Sequence, residues 1–192
     1  MEKEIIGFYV SGHPLDAYGK LLKNKVSHKI ESLEEAEHGE KVRVGGMVAS
    51  VRHLLTKRGD SMATFVLEDQ TESIKCIVFP KAYAACRDKM FAAKVLIAEG
   101  KLKKDEAKPE MIVEKIESPG KLYLRLPDSN DKILVAQIKE FLLKIPGDIE
   151  ISVYYEDLKQ YYCLPGIAGV ALDDKMIMVL KEFLNEENVV LR

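Results

Sequence analysis

The side chains with the clearest chemical purpose are cations. Arg43, Arg52, Lys57, Arg58, Lys75, Lys101, Lys103 and Lys104 all lie in the middle of the chain, with His53 beside Arg52 and the ring of Phe79 beyond Lys75. Such a set suits a polyanion, because ammonium and guanidinium groups neutralise phosphates and an aromatic face stacks on a base. That chemistry is non-covalent. The sequence has no Walker loop, G-x-S-x-G, H-E-x-x-H or C-x-x-C. His13, His28, His38 and His53 lack metal-ligand spacing. Asp173-Asp174 reads as a helix cap. Neither a catalytic residue nor a bound metal or cofactor is expected.

The charge is uneven. Residues 1–40 hold 5 Lys/Arg against 8 Asp/Glu, residues 41–117 hold 15 against 11, and residues 118–192 hold 9 against 12. A basic middle between acidic flanks localises the electrostatic footprint to one module. Hydrophobic content of 47% with 31% charged residues fits a globular chain and excludes disorder. No apolar run approaches the ~18 residues that span a bilayer, and the acidic start does not suit a secretory signal. Cys76, Cys86 and Cys163 are odd in number and far apart, so they are expected as unpaired, buried apolar thiols. Together these features predict a cytoplasmic protein without membrane contact.

Three regions must position the cations. Residues 1–40 read as a helical connector: a helix over residues 2–10 stopped by Gly12-His13-Pro14, another through Leu22, and an acidic turn over residues 31–37. Residues 41–117 change to alternating character. KVRVGGMVASVRHLL reads as a long strand with a bulge or bend at Gly45-Gly46. MATFVLED and SIKCIVFP follow as strands, KAYAACRDKM as a helix, and KVLIAEGKLKK and EMIVEKIE as strands. The order β-β-β-α-β-β is that of an OB-fold, a five-stranded Greek-key barrel. Residues 118–192 predict β-α-β-β-α-β, a ferredoxin-like arrangement with a two-residue Glu156-Asp157 hairpin turn. The fold class is therefore α+β.

In an OB-fold the first and fourth loops flank the binding face. Lys57 and Arg58 fall in the first. Lys101, Lys103, Lys104 and Lys108 fall on the fourth strand and its loop. Phe65 reads as core and Tyr83 as the inner face of the helix. Phe79 has two readings: an outward stacking platform beside Lys75, or a ring covered by the helix that follows it.

Two stretches resemble a known family. EKEIIGFYVSGHPLD resembles the junction after the fingers region of the bacterial replicative (C-family) DNA polymerase III alpha subunits. VRVGGMVASVRHLLTKRGDSMATFVLEDQTESIKCIVFP resembles their OB domain, and shares its general pattern with anticodon-binding domains of class II aminoacyl-tRNA synthetases. The resemblance implies a parent DNA-directed DNA polymerase using Mg2+ and deoxynucleoside triphosphates. It also implies an OB domain on single-stranded template DNA and a C-terminal domain that binds the tau subunit of the clamp loader. The family's catalytic aspartates lie upstream of the matching stretches, so this chain reads as a non-catalytic C-terminal piece that contacts the rest of the alpha subunit. The alternatives are a structural docking module without DNA binding and an anticodon-binding appendage.

Overall fold

The structure is a computed structural model that describes residues 15–104 and 108–192. The expected helix over residues 2–10 and the turn at Gly12-His13-Pro14 lie outside them. The second expected helix does run through Leu22 but starts late: Leu15–Tyr18 form a turn and α1 spans Gly19–Lys23. A glycine start with no capping side chain keeps that helix short. The acidic turn is a 3-10 helix, Ile30–Glu34.

β1 (Lys41–Leu55) is long enough to serve two neighbours. Its first half pairs antiparallel with β4 (Val95–Lys103) and its second half with β2 (Ser61–Glu68). With β3 (Ser73–Val78) and β5 (Glu110–Glu117) they close a barrel of order β1-β2-β3-β5-β4, the parallel β3–β5 pairing completing the ring. This is the expected OB-fold. The bulge, however, lies between Val48 and Ser50 and not at the glycine pair. Gly46 is needed for a different reason: a Cβ there would lie 2.5 Å from the Glu68 carbonyl oxygen.

Alternation sends Val42, Val44, Ala63, Phe65, Leu67, Ile74, Cys76 and Val78 into the barrel core. α2 (Pro80–Cys86) opens on a proline, whose fixed φ suits the first helical turn, and packs against β2 and β5. Burial pushes the Cys76 thiol up. Cys86 is also buried, whereas Cys163 is exposed and so is not the apolar core thiol expected.

The second unit runs β6 (Lys121–Leu126), α3 (Lys132–Leu143), β7 (Pro146–Tyr155), β8 (Gln160–Tyr162), α4 (Asp174–Leu184) and β9 (Val189–Leu191). Asp131 and Asp173 cap α3 and α4, accepting from Leu134 N at 2.9 Å and Lys175 N at 2.7 Å. The element order is as expected, and the α+β class holds. The sheet order is β8-β7-β6-β9, with β6 and β7 adjacent and parallel. A split ferredoxin-like sheet would place a strand between them. Here β6 occupies that edge of β7, so β8 takes the outer one. The β7–β8 hairpin turns through residues 156–159, with Lys159 at φ 52°, and not through two residues.

The connector divides between two cores. Ile30, Leu33 and Ala36 join the barrel core, whereas Leu15 and Tyr18 join the core beneath β6 and β7. Val95 of β4 belongs to this second core, and its N–H donates to Asp148 Oδ2 at 2.9 Å. Lys25 Nζ donates to the Pro119 carbonyl at 3.1 Å. Barrel and sheet are thereby stitched together. Among the described residues no helix is long and apolar enough to cross a membrane.

Candidate nucleic-acid interface

Strand register decides which cations share a surface. Because Ala63, Phe65 and Leu67 point inward, Met62, Thr64 and Val66 point outward, as do Lys75 and Ile77. One outward row runs Arg52–Thr64–Ile77–Ile112–Lys101 across five strands. The next runs Ser50–Val66–Lys75–Glu110–Lys103. The face thus has a half-buried aliphatic floor with cations along it.

Beyond this floor β1 and β2 continue as a hairpin arm. Its turn is fixed by Thr56: Gly59 N–H donates to the Thr56 carbonyl at 2.9 Å, and Asp60 N–H donates to Thr56 Oγ1 at 3.1 Å. Gly59 takes φ 86°, which a side chain would resist. Lys57 and Arg58 are therefore held exposed at the tip. Neither they nor Arg52 nor Lys101 makes an ion pair with a described residue. Leu54 and Leu55 on the arm are 44% and 70% exposed. Sequence reasoning misses these leucines, although their place beside the basic turn is a usable signal.

Phe79 is 45% exposed at the N-cap of α2, so the helix does not cover it. Tyr83 is half-buried against the barrel core, and its hydroxyl lies 3.1 Å from His53 Nδ1, the two rings meeting edge-on. His53 is exposed at the barrel rim, paired in register with Ala63.

Two expected phosphate ligands are engaged elsewhere. Arg43 is clamped between Glu99, at 3.6 Å, and Glu117. Its Nε is buried without a hydrogen-bond partner. The Lys41 hydrogen bond holds Glu99 below the ordinary carboxylate range, and the Lys115 hydrogen bond does the same for Glu117, with Arg43 adding to both. Arg43 is thus a pin across β1, β4 and β5. Lys104 turns toward the connector, donating to the carbonyls of Glu34 and Ala36, the latter at 2.9 Å. It satisfies carbonyls at the end of a 3-10 helix. Lys75 and Lys103 stay on the outer face but share one carboxylate, Glu110. Among the described residues no group of three His, Cys, Asp or Glu could hold a metal ion.

Comparison with known proteins fits this geometry. Residues 42–119 match the tRNA anti-codon family, described as an OB-fold nucleic acid binding domain. DNA polymerase III subunit alpha of Aquifex aeolicus is 42% identical over 105 residues, 55% of this chain and 9% of that protein. The Bacillus subtilis protein of the same name is 28% identical over 200 residues, 100% of this chain and 18% of that protein. The Mycobacterium tuberculosis one is 30% identical over 168 residues, 80% of this chain and 14% of that protein. The chain spans less than a fifth of the length of these relatives. The chain is thus similar to a segment of DNA polymerase III subunit alpha, and within it residues 42–119 match an OB-fold nucleic acid binding domain.

Proposed function

We propose that the barrel carries single-stranded DNA across the outer face of β1, β2 and β3, as the template-binding segment of a replicative polymerase. The observation that supports this most is the hairpin arm. Arg52, Lys57 and Arg58 stand exposed without described ion partners, beside the aliphatic floor and the open ring of Phe79. Cations track a phosphate backbone, and an open ring is useful only to bases not already stacked in a duplex. The segment itself performs no chemistry in this reading. Nucleotidyl transfer, with its Mg2+, belongs to the rest of the alpha subunit in the cytoplasm.

Fluorescence anisotropy with oligo-dT at low salt tests the reading. Wild-type protein binds the single strand in preference to a hairpin duplex, with log affinity falling with log salt by about 0.7 per phosphate neutralised. Joint reversal, Lys57→Glu with Arg58→Glu, weakens binding by about tenfold or more, and Phe79→Ala weakens it at an unchanged salt slope. No binding by the wild type at low salt overturns the proposal. Tighter binding of a tRNA anticodon stem-loop than of oligo-dT would favour the anticodon-binding alternative.

A second reading concerns residues 118–192 as the docking site for the tau subunit of the clamp loader. Its support is the exposure of Ile133 (75%) and Leu143 on α3, and of Met178 (62%) and Phe183 on α4. Large apolar side chains on exposed helix surfaces suit a protein partner. Capture of tau by the whole chain, lost in an Ile133→Asp, Met178→Asp double variant, checks it.

A further inference from the structure

The four-stranded sheet β8-β7-β6-β9 packs its helices on one face. Leu122, Leu124 and Leu126 of β6 and Ile149, Ile151 and Val153 of β7 share a core with Ile138, Leu142, Met176 and Leu180 of the helices. The opposite face carries a different chemistry. Register aligns Arg125, Tyr154 and Tyr161 in one row and Ser152, Tyr123 and Val190 in the next. The tyrosines form one patch, with ring centroids 4.9 Å apart for Tyr154–Tyr161 and 6.1 Å for Tyr123–Tyr161. Lys121 Nζ lies 5.7 Å from the Tyr123 ring centroid. The patch lines an open hollow of about 760 Å³.

Charges rim the hollow. Lys121 and Arg192 make no ion pair with a described residue, Arg125 pairs with Glu156 at 3.0 Å, and Glu187 stands on the rim. The apolar side chains most suited to a protein partner are elsewhere, on α3 and α4. What this face offers is flat rings with cations beside them, on a sheet. That combination suits unstacked bases and not a duplex, whose bases already stack on one another.

We propose that this tyrosine face is a second site for single-stranded nucleic acid. About two or three bases stack on Tyr123, Tyr154 and Tyr161, while the backbone passes Lys121, Arg125 and Arg192. The site is distinct from the barrel face and does not depend on the barrel's binding DNA.

Photocrosslinking tests it with the whole chain. Oligo-dT and oligo-U carrying 5-iodo-uracil bases are irradiated with wild-type protein and with a Lys57→Glu, Arg58→Glu variant that disables the barrel arm. Crosslinked peptides are located by mass spectrometry, and anisotropy gives the affinity. The expected result is crosslinking at Tyr154 or Tyr161 in both proteins. In the barrel-disabled background Tyr161→Ala weakens affinity by about tenfold, whereas Tyr161→Phe retains it, because stacking needs the ring and not the hydroxyl. Tyr161 is 63% exposed on an edge strand, so its truncation leaves the fold intact, as circular dichroism will verify. The dT and U arms tell whether DNA or RNA is the better ligand. Crosslinks confined to the barrel, unchanged affinity in Tyr161→Ala, or an effect of that variant on a protein partner alone would overturn the proposal.

Discussion

Lys75 Nζ lies 2.6 Å from Glu110 Oε1 on the outer face of the barrel, a pairing set by the parallel register of β3 and β5. Lys103 Nζ stands 3.8 Å from the other carboxylate oxygen. One carboxylate therefore screens two of the lysines expected to meet phosphates. Glu110→Gln should leave Lys75, whose ion pair is with Glu110 alone among the described residues, better able to do so. Affinity for oligo-dT is expected to rise several-fold, with the salt slope steepening by about 0.7 for the further phosphate that Lys75 neutralises. The two lysine ends are about half exposed, so stability should change by no more than about 1 kcal/mol. Anisotropy titrations over a KCl series check both; an unchanged slope would sink the idea that Glu110 competes with phosphate.

Lys104 carries the opposite prediction. Its ammonium holds the Glu34 and Ala36 carbonyls beside the barrel, so Lys104→Met removes those bonds while keeping most of the stem. The expected cost is about 1–2 kcal/mol of stability in urea unfolding, with the salt slope of nucleic-acid binding unmoved. A fall in slope without loss of stability would return Lys104 to the phosphate-binding set.

Gly100 sits at the register shift between β4 and β5. A Cβ there would be driven into the Ile112 carbonyl, which is backbone and cannot swing aside. Gly100→Ala is expected to cost at least about 1–3 kcal/mol. Gly19 at the start of α1 is the control, since nothing lies within 4 Å of its Cβ position. Gly19→Ala should be neutral or stabilise by up to about 1 kcal/mol. Equal midpoints for the two variants in urea would contradict the steric account.

Acid should unfold this protein partly through Asp69. Burial pushes its carboxyl up, but hydrogen bonds from the Glu72, Thr71 and Ile30 backbones and the Thr71 hydroxyl outweigh that and hold it below its ordinary value. Glu99 and Glu117 are lowered as well. A group depressed in the folded state stabilises fully above its unfolded pKa, about 4 for a carboxylate, and loses that stabilisation as pH falls through the folded value. Stability should therefore be flat from neutral pH to about 5 and decline below about 4. Asp69→Asn should cost about 1–3 kcal/mol at neutral pH and shallow the acid limb. Urea midpoints from pH 7 to pH 3 decide; an acid limb of undiminished steepness in the variant would assign the loss to other carboxylates.

The barrel was legible because its information is local. A period of two over KVRVGGMVASVRHLL, MATFVLE and SIKCIV specifies strands with one buried face, and the single helix between β3 and β4 specifies the OB order. The exposed cations of the hairpin arm were legible too, since a glycine-bearing polar turn fixes Lys57 and Arg58 outward wherever the strands go. Arg43 and Lys104 were not. Their types are those of phosphate ligands, and only register brings Glu99 and Glu117 to Arg43, or folds the Glu34 and Ala36 carbonyls onto Lys104. The same holds for the tyrosine face. Tyr123, Tyr154 and Tyr161 belong to three separate strands, and the sheet order that makes them neighbours departs from the split arrangement that the element order suggests. Sequence alone determined which segments become strands and helices, because backbone propensity and burial period act between near neighbours. Tertiary structure decided which charges pair and which rings meet, because an ion pair or a ring contact depends on a few ångströms between residues far apart in the chain.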